Sequence, residues 1–240
     1  MKKRVHDLCQ NRLLAALPAE ERERLSPDLE LVPMEVGQSL YNSSSEIRHV
    51  YFPTTAIVSL LYEMDDGAVD EIAVVASEGI VGIALFMGGE TTLSRAVVQS
   101  AGYGYQMKGQ VLKREFHRAG PMQRLLLRYT QALMTEVAQT LVCNRHHSLD
   151  QQFCRWLLLR FDRLPSNKLA MSQERIANLL GVRRGSISEI EGKLRKDGLI
   201  SYHRGHLALI DRVGLQARGC ECYAVIKEEF DRLLPKPIAT

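Results

Sequence analysis

The sequence predicts an α+β chain: an N-terminal β-roll of the jelly-roll type, one long helix, and a C-terminal domain of short helices closed by a β-hairpin. Three observations predict it. Short β-rich runs separated by turn signals fill residues 29–107. Pro121–His147 then runs without Gly or Pro for about seven helical turns. Finally, Gln173–Gly192 (QERIANLLGVRRGSISEIEG) carries the spacing of two short helices meeting at a tight turn. The expected divisions are residues 1–120 for the roll with short N-terminal helices, 121–147 for the long helix and 148–240 for the C-terminal domain.

In order along the chain, Asn11–Leu25 has helical spacing of Leu13, Leu14, Leu17 and Leu25, broken at Pro18, where a second short helix is expected to begin. Seven strand-like runs follow: LELVPM, SLY, HVYF, IVSLLY, EIAVVA, RAVVQS and YGYQM. Turn signals such as Val36-Gly37, Asn42-Ser43, Asp65-Asp66-Gly67 and Gly88-Gly89 separate them. Strands this short and this closely spaced make a sandwich or roll, whose interior can hold a ligand. Lys108–Ala119 reads as a helix, and Gly120-Pro121 opens the long one. Along it Met122, Leu126, Tyr129, Leu133, Val137 and Leu141 recur every three or four residues. A long helix between two domains has more than one side to cover, so this stripe is expected to be the seam of a symmetric homodimer; the alternative is a helix buried within its own chain.

Length and composition bound the function. At 240 residues the chain is long enough for two cores, and a net charge of +3 rules out a diffusely basic surface; any nucleic-acid binding rests on local clusters. No stretch approaches the roughly 20 apolar residues of a membrane span, and the N-terminus (MKKRVHDLCQ) lacks the apolar core of a signal peptide, so a cytoplasmic protein is expected. The five cysteines, odd in number and irregularly spaced, argue against a disulfide framework.

The Gln173–Gly192 stretch is the most informative. Ile176 and Leu180 share one helix face, Val182 follows the turn, and Ile187 and Ile190 share a face of the next helix, so five aliphatics meet in one small core. Ala177 is small enough for close crossing, Gly181 suits the sharp turn, and Ser172 is placed to cap the first helix. Two short alternating runs around Arg204-Gly205 add a hairpin. This is a winged helix-turn-helix, which predicts DNA binding: a second helix of roughly Arg183–Lys196 in the major groove and the wing tip His203-Arg204-Gly205-His206 on phosphates. The candidate DNA-binding residues are Ser172, Gln173, Arg183, Arg184, Ser186, Ser188, Glu189, Lys193, His203 and Arg204. The competing reading is a small helical domain making protein contacts only.

The order roll, long helix, winged helix resembles the Crp/Fnr family (catabolite activator and fumarate–nitrate regulator) of bacterial transcription factors along nearly the whole chain. The resemblance is carried by Tyr51-Phe52, Asp66-Gly67, Glu78–Phe86 (EGIVGIALF), Ser94-Arg95-Ala96 and above all Met171–Ile200. It implies a homodimer whose roll senses a signal, whose long helix is the dimer seam and whose winged helices bind a palindromic promoter site. RNA polymerase is the expected protein partner, and no membrane is. Departures matter as well. Arg184 matches the family's first base-reading Arg, but Gly185 stands where the family has Glu, and Glu189 where it has a second Arg. The family's cyclic-nucleotide pocket maps onto Gly82, Ile83, Ser94, Arg95 and Ala96 in degenerate form: Ile83 replaces a ribose-binding Glu and Arg95 is shifted one place along its strand. Control by cyclic AMP is therefore not expected, although nearby Glu90 is a carboxylate able to take a ribose hydroxyl; the effector is unassigned.

Other chemistry is weaker. Cys143 and His147 lie four apart on one helix and Cys220 and Cys222 flank Glu221, each pair suited to a metal, but neither shows a second pair in sequence to complete a tetrahedral set. Cys9 alone stands where oxygen-sensing relatives cluster cysteines for an iron–sulfur centre. No metal and no cofactor are expected. No catalytic grouping can be defended from spacing, His49 and Glu78 read as ordinary surface residues, and the chain is not expected to be an enzyme. The alternative function is a small-molecule or redox sensor whose winged helix contacts protein.

Overall fold

The computed structural model describes residues 7–164 and 166–234. The stretch MKKRVH, part of the N-terminus read above for a signal peptide, lies outside them. The described residues divide into two compact units, one of residues 7–60, 74–134 and 229–234, the other of residues 61–73, 135–164 and 166–228.

The first unit opens with α1 (Arg12–Ala15) and α2 (Ala19–Leu25), separated at Pro18 as the sequence predicts. Asn11 organises this entry. Its Oδ1 accepts from the amides of Leu13 and Leu14, while its Nδ2 donates to the carbonyls of Pro53 and Gly79 at 2.9 Å each, so one buried amide caps α1 and pins it to the roll. All seven predicted runs are strands: β1 (Glu30–Met34), β2 (Ser39–Tyr41), β3 (His49–Pro53), β4 (Ile57–Glu63), β5 (Val69–Val75), β6 (Arg95–Ser100) and β7 (Gly102–Lys108). They form two sheets of order β1-β7-β3 and β2-β6-β4-β5. In the first, β7 pairs antiparallel with both neighbours, placing Tyr105 opposite Leu31 and Phe52. Alternation directs Val50 and Phe52 of β3 and Ala96 and Val98 of β6 inward, where they are fully buried. After α3 (Gly109–His117), the start of α4 (Pro121–His146) buries Met122, Leu126, Tyr129 and Leu133.

In the second unit, α5 (Leu149–Arg163) begins at a capping box in which Ser148 and Gln151 satisfy each other's backbone amides. Nine consecutive residues of it, Phe153–Phe161, are buried. Arg160, 1% exposed, donates to Glu71 and stacks on Trp156 with its Cζ 3.5 Å from the ring centroid; the indole Nε1 donates to the other Glu71 oxygen. Burial pulls the Arg160 guanidinium below its usual pKa, and Glu71 opposes that shift. Arg163 makes a forked pair with Glu136 at 2.7 and 3.1 Å. There follow β8 (Lys168–Ala170), α6 (Gln173–Leu179), α7 (Arg184–Lys196), β9 (Ile200–His203), β10 (His206–Leu209), α8 (Arg212–Arg218) and α9 (Cys222–Leu233), with a third sheet of order β8-β10-β9. The architecture is the predicted α+β one. Among the described residues, no helix is long and apolar enough to cross a membrane.

Glu71→Ala would strand a buried guanidinium, so the variant is expected to lose about 3–5 kcal/mol of stability in chemical denaturation. Wild-type stability in that variant would show that the pair contributes nothing.

Candidate nucleic-acid interface

The helix pair α6 and α7 is built as its residues dictate. Ser172 Oγ accepts from the Arg175 amide at 3.2 Å and starts α6. Ile176, Ala177, Ile187 and Ile190 are buried as expected; Leu179 rather than Leu180 completes the core, because Leu180 is the residue that ends α6 and lies half-exposed. Gly181 turns the chain with φ +63°, a left-handed conformation that a side chain adopts only with strain. A polar chain joins the helices: Ser188 Oγ donates to Gln173 Oε1 at 2.6 Å, and Gln173 Nε2 donates to the buried carboxylate of Glu191, which also pairs with Arg195 at 3.5 Å. Gln173 and Ser188, both read as DNA-binding candidates, are therefore committed to holding α6 on α7. Glu191, missed in the sequence, anchors them.

Exposed on α7 are Arg184, Glu189, Lys193, Arg195 and Lys196, with Arg183 exposed just ahead of it and Ser186 half-exposed. Arg183 precedes the first turn and no side chain caps it, so its amides and two guanidiniums share one cationic end. Glu189 bonds Lys193 at 2.7 Å, one turn along, and that ammonium holds the Glu189 carboxyl below its ordinary pKa. Glu189 is thus buttressed against a lysine. The wing is the antiparallel β9–β10 hairpin, turned at Arg204 (φ +49°) and Gly205 (φ +81°), with His203, Arg204 and His206 exposed.

The pocket candidates are spread through the roll. Gly82 is left-handed and starts a short 3-10 turn at Ile83–Leu85, while Arg95 and the buried Ala96 lie at the start of β6, beside a register shift in its pairing with β2. A separate cavity of ≈310 Å³ is lined by Glu46, Arg48, His49, Glu90, Lys113 and neighbours, and none of Gly82, Ile83, Ser94, Arg95 or Ala96 lines it. Glu90 faces that cavity and is bonded to Lys113 at 2.6 Å, which lowers its pKa. Glu78 is not a surface residue: it is buried and one of its oxygens accepts from the Ala76 amide. His49 lies half-buried on β3.

The stripe read as a dimer seam is split. Met122, Leu126, Tyr129 and Leu133 are buried in the chain's own core, and Val137 is half-buried; of the six only Leu141 is exposed. The apolar side chains that α4 does expose are Leu127, Met134 and Leu141, seven residues apart, with Val142 beside them.

The two cysteine-bearing pairs, separate in sequence, come together. The donor atoms of Cys143, His147, Cys220 and Cys222 all lie within 4.8 Å of one another. Burial pushes the Cys143 thiol up to about 12, with the nearby Arg155 charge working in the opposite direction.

Gly181→Ala is expected to destabilise the chain by roughly 1–2 kcal/mol, the cost of a left-handed alanine, read as a lower melting temperature. An unchanged melting temperature would mean that the turn does not need this conformation.

Residues 151–218 match the model of the Crp-like helix-turn-helix domain. No curated protein matches the chain in sequence. Among solved structures, FixK2 from Bradyrhizobium japonicum is similar over 80% of this chain and 98% of its own, at 16% identity and a TM-score of 0.70. A putative Crp/Fnr-family transcriptional regulator from Eubacterium rectale covers 87% and 98% at 16% identity and a TM-score of 0.68. The c-di-GMP-responsive global regulator CLP of Xanthomonas campestris covers 80% and 99% at 16% identity and a TM-score of 0.60. Residues 151–218 thus form a Crp-like helix-turn-helix domain, and the chain has the fold of these solved regulators over most of its length.

Proposed function

We propose that this protein is a sequence-specific DNA-binding transcriptional regulator that acts as a homodimer on a palindromic promoter site and is not controlled by cyclic AMP. The observation that carries the reading is the exposed cationic end of α7, Arg183 and Arg184, on a helix whose other face is buried against α6, together with an exposed Arg204 at the wing tip. A helix so supported reaches base edges with its first turn, while the wing meets phosphates. Arg184 forks onto a guanine; Lys193, tied to Glu189, contributes less than a free cation would.

The dimer reading is supported by the exposed repeat Leu127, Met134 and Leu141, which suits a parallel helix pair, and a dimer brings two copies of α7 to a palindrome. Absence of cyclic AMP control rests on Ile83, which offers a ribose hydroxyl no acceptor, and on Glu90, which is held by Lys113. The Xanthomonas regulator, described as responsive to c-di-GMP, has a related fold and a different signal.

Selection of bound sequences from random DNA tests the whole reading; recovery of no inverted repeat would overturn it. Within the selected site, Arg184→Ala is expected to cost about 1–3 kcal/mol and relax preference at one base pair per half-site, whereas Arg204→Ala weakens all sequences alike and reduces the salt slope by about 1. Equal loss of specificity from both would remove the division between reader and clamp. The double variant Met134→Glu with Leu141→Glu is expected to sediment as a folded monomer that binds the operator weakly; a dimer of unchanged stability would count against the exposed repeat as the seam. Calorimetry is expected to detect no micromolar cyclic AMP binding.

A further inference from the structure

We propose that Cys143, His147, Cys220 and Cys222 form a tetrahedral site for a thiophilic divalent cation, Zn²⁺ being the ion that three thiolates and one imidazole suit best. This is independent of the DNA-binding reading. The pairs lie at opposite ends of the second unit's sequence: Cys143 and His147 at the end of α4, Cys220 and Cys222 at the junction of α8 and α9. One helical turn separates the first two, which places both on one face, and the short Cys-Glu-Cys segment delivers the other two across from them. Cys143 Sγ stands 3.6 Å from Cys220 Sγ, and Cys222 Sγ stands 3.4 Å from His147 Nδ1. A zinc ion with bonds of about 2.3 Å to sulfur sets its ligands about 3.8 Å apart, so these two separations are close to tetrahedral ones, and all four donors lie within 4.8 Å of one another.

The surroundings are those of a ligand set. His147 turns Nδ1 to the Cys222 sulfur, and its Nε2 lies 3.3 Å from a carboxylate oxygen of Glu221, the arrangement in which a carboxylate fixes the tautomer and orientation of a ligating imidazole. Gln139 Nε2 donates to Cys222 Sγ at 3.1 Å, a bond that a thiolate accepts better than a thiol. Arg155 is buried within electrostatic reach of Cys143 and offsets the single negative charge that three thiolates leave around a divalent ion. On uptake, three S–H protons pass to solvent, three sulfur–zinc bonds and one nitrogen–zinc bond form, and no electron moves. Bound in this way, the ion staples the end of α4 to the start of α9 and closes a loop of the chain that side-chain packing alone closes without it.

The test uses the full chain, purified in reducing buffer without chelator. Elemental analysis is expected to find about one zinc per chain, and exchange for Co²⁺ to give the thiolate charge-transfer and d–d bands of a tetrahedral ion. Cys143→Ser and Cys222→Ser are expected to lose the metal, Cys154→Ser, whose buried thiol lies outside the set, to keep it, and His147→Cys, which conserves a four-donor set, to keep it as well. Glu221→Ala is expected to weaken affinity by roughly 10–100-fold while leaving the cobalt spectrum tetrahedral. Wild-type chain that is folded, reduced and fails to take up Zn²⁺ or Co²⁺ would overturn the proposal. So would a disulfide between Cys143 and Cys220, iron with acid-labile sulfide in place of zinc, or zinc retained when Cys143 and Cys222 are both serine.

Discussion

The second unit depends on the burial of α5. A helix with nine consecutive buried residues has no solvent face to receive a charge, yet two of those residues are Arg155 and Arg160. Each guanidinium needs a partner in place, and the fold supplies them from different parts of the chain: Glu71 from β5 for Arg160, and Thr140 from α4 for Arg155, 3.0 Å away. Arg163, just beyond the buried run, takes Glu136 from α4 in the same way. Packing of leucines alone tolerates several rotations of a helix about its own axis. Buried charges with fixed partners penalise a rotation that would leave a guanidinium unpaired, and α5 leads directly into the winged domain.

This constraint explains why the sequence is legible in some places and opaque in others. The seven strands of the roll were readable because each is a short run of β-branched, aromatic and aliphatic residues bounded by turn signals, even where, as in β4, five consecutive residues are buried and nothing alternates. The helix-turn-helix was readable because a small residue at 177, a glycine at 181 and aliphatics at fixed offsets solve one local packing problem. By contrast, FCRWLLLRF in α5 has no polar face, so its periodicity is silent; the Ser148–Gln151 capping box was the one local sign of where it starts.

On α4 the helical period announces an apolar stripe without saying which stripe faces inward. Met122, Leu126, Tyr129 and Leu133 satisfy that period and belong to the chain's own core, and the strict seven-residue interval of Leu127, Met134 and Leu141 was the sign of a second surface. The clustering of Cys143 and His147 with Cys220 and Cys222 is likewise invisible along the chain. It arises because α4 and α9 converge within the second unit, a property of tertiary packing that no short-range spacing records.

Under the proposed function, the polar link from Ser188 through Gln173 to Glu191 limits how much information the protein takes from its DNA. Two side chains of the right length and chemistry to question a base are spent on rigidity, and Glu189 and Lys193 answer each other. The vocabulary left to α7 is small and mostly cationic. In the proposed dimer, a reader with few words gains discrimination elsewhere: from the spacing between two half-sites, and from how readily a given duplex bends and narrows to meet the wing.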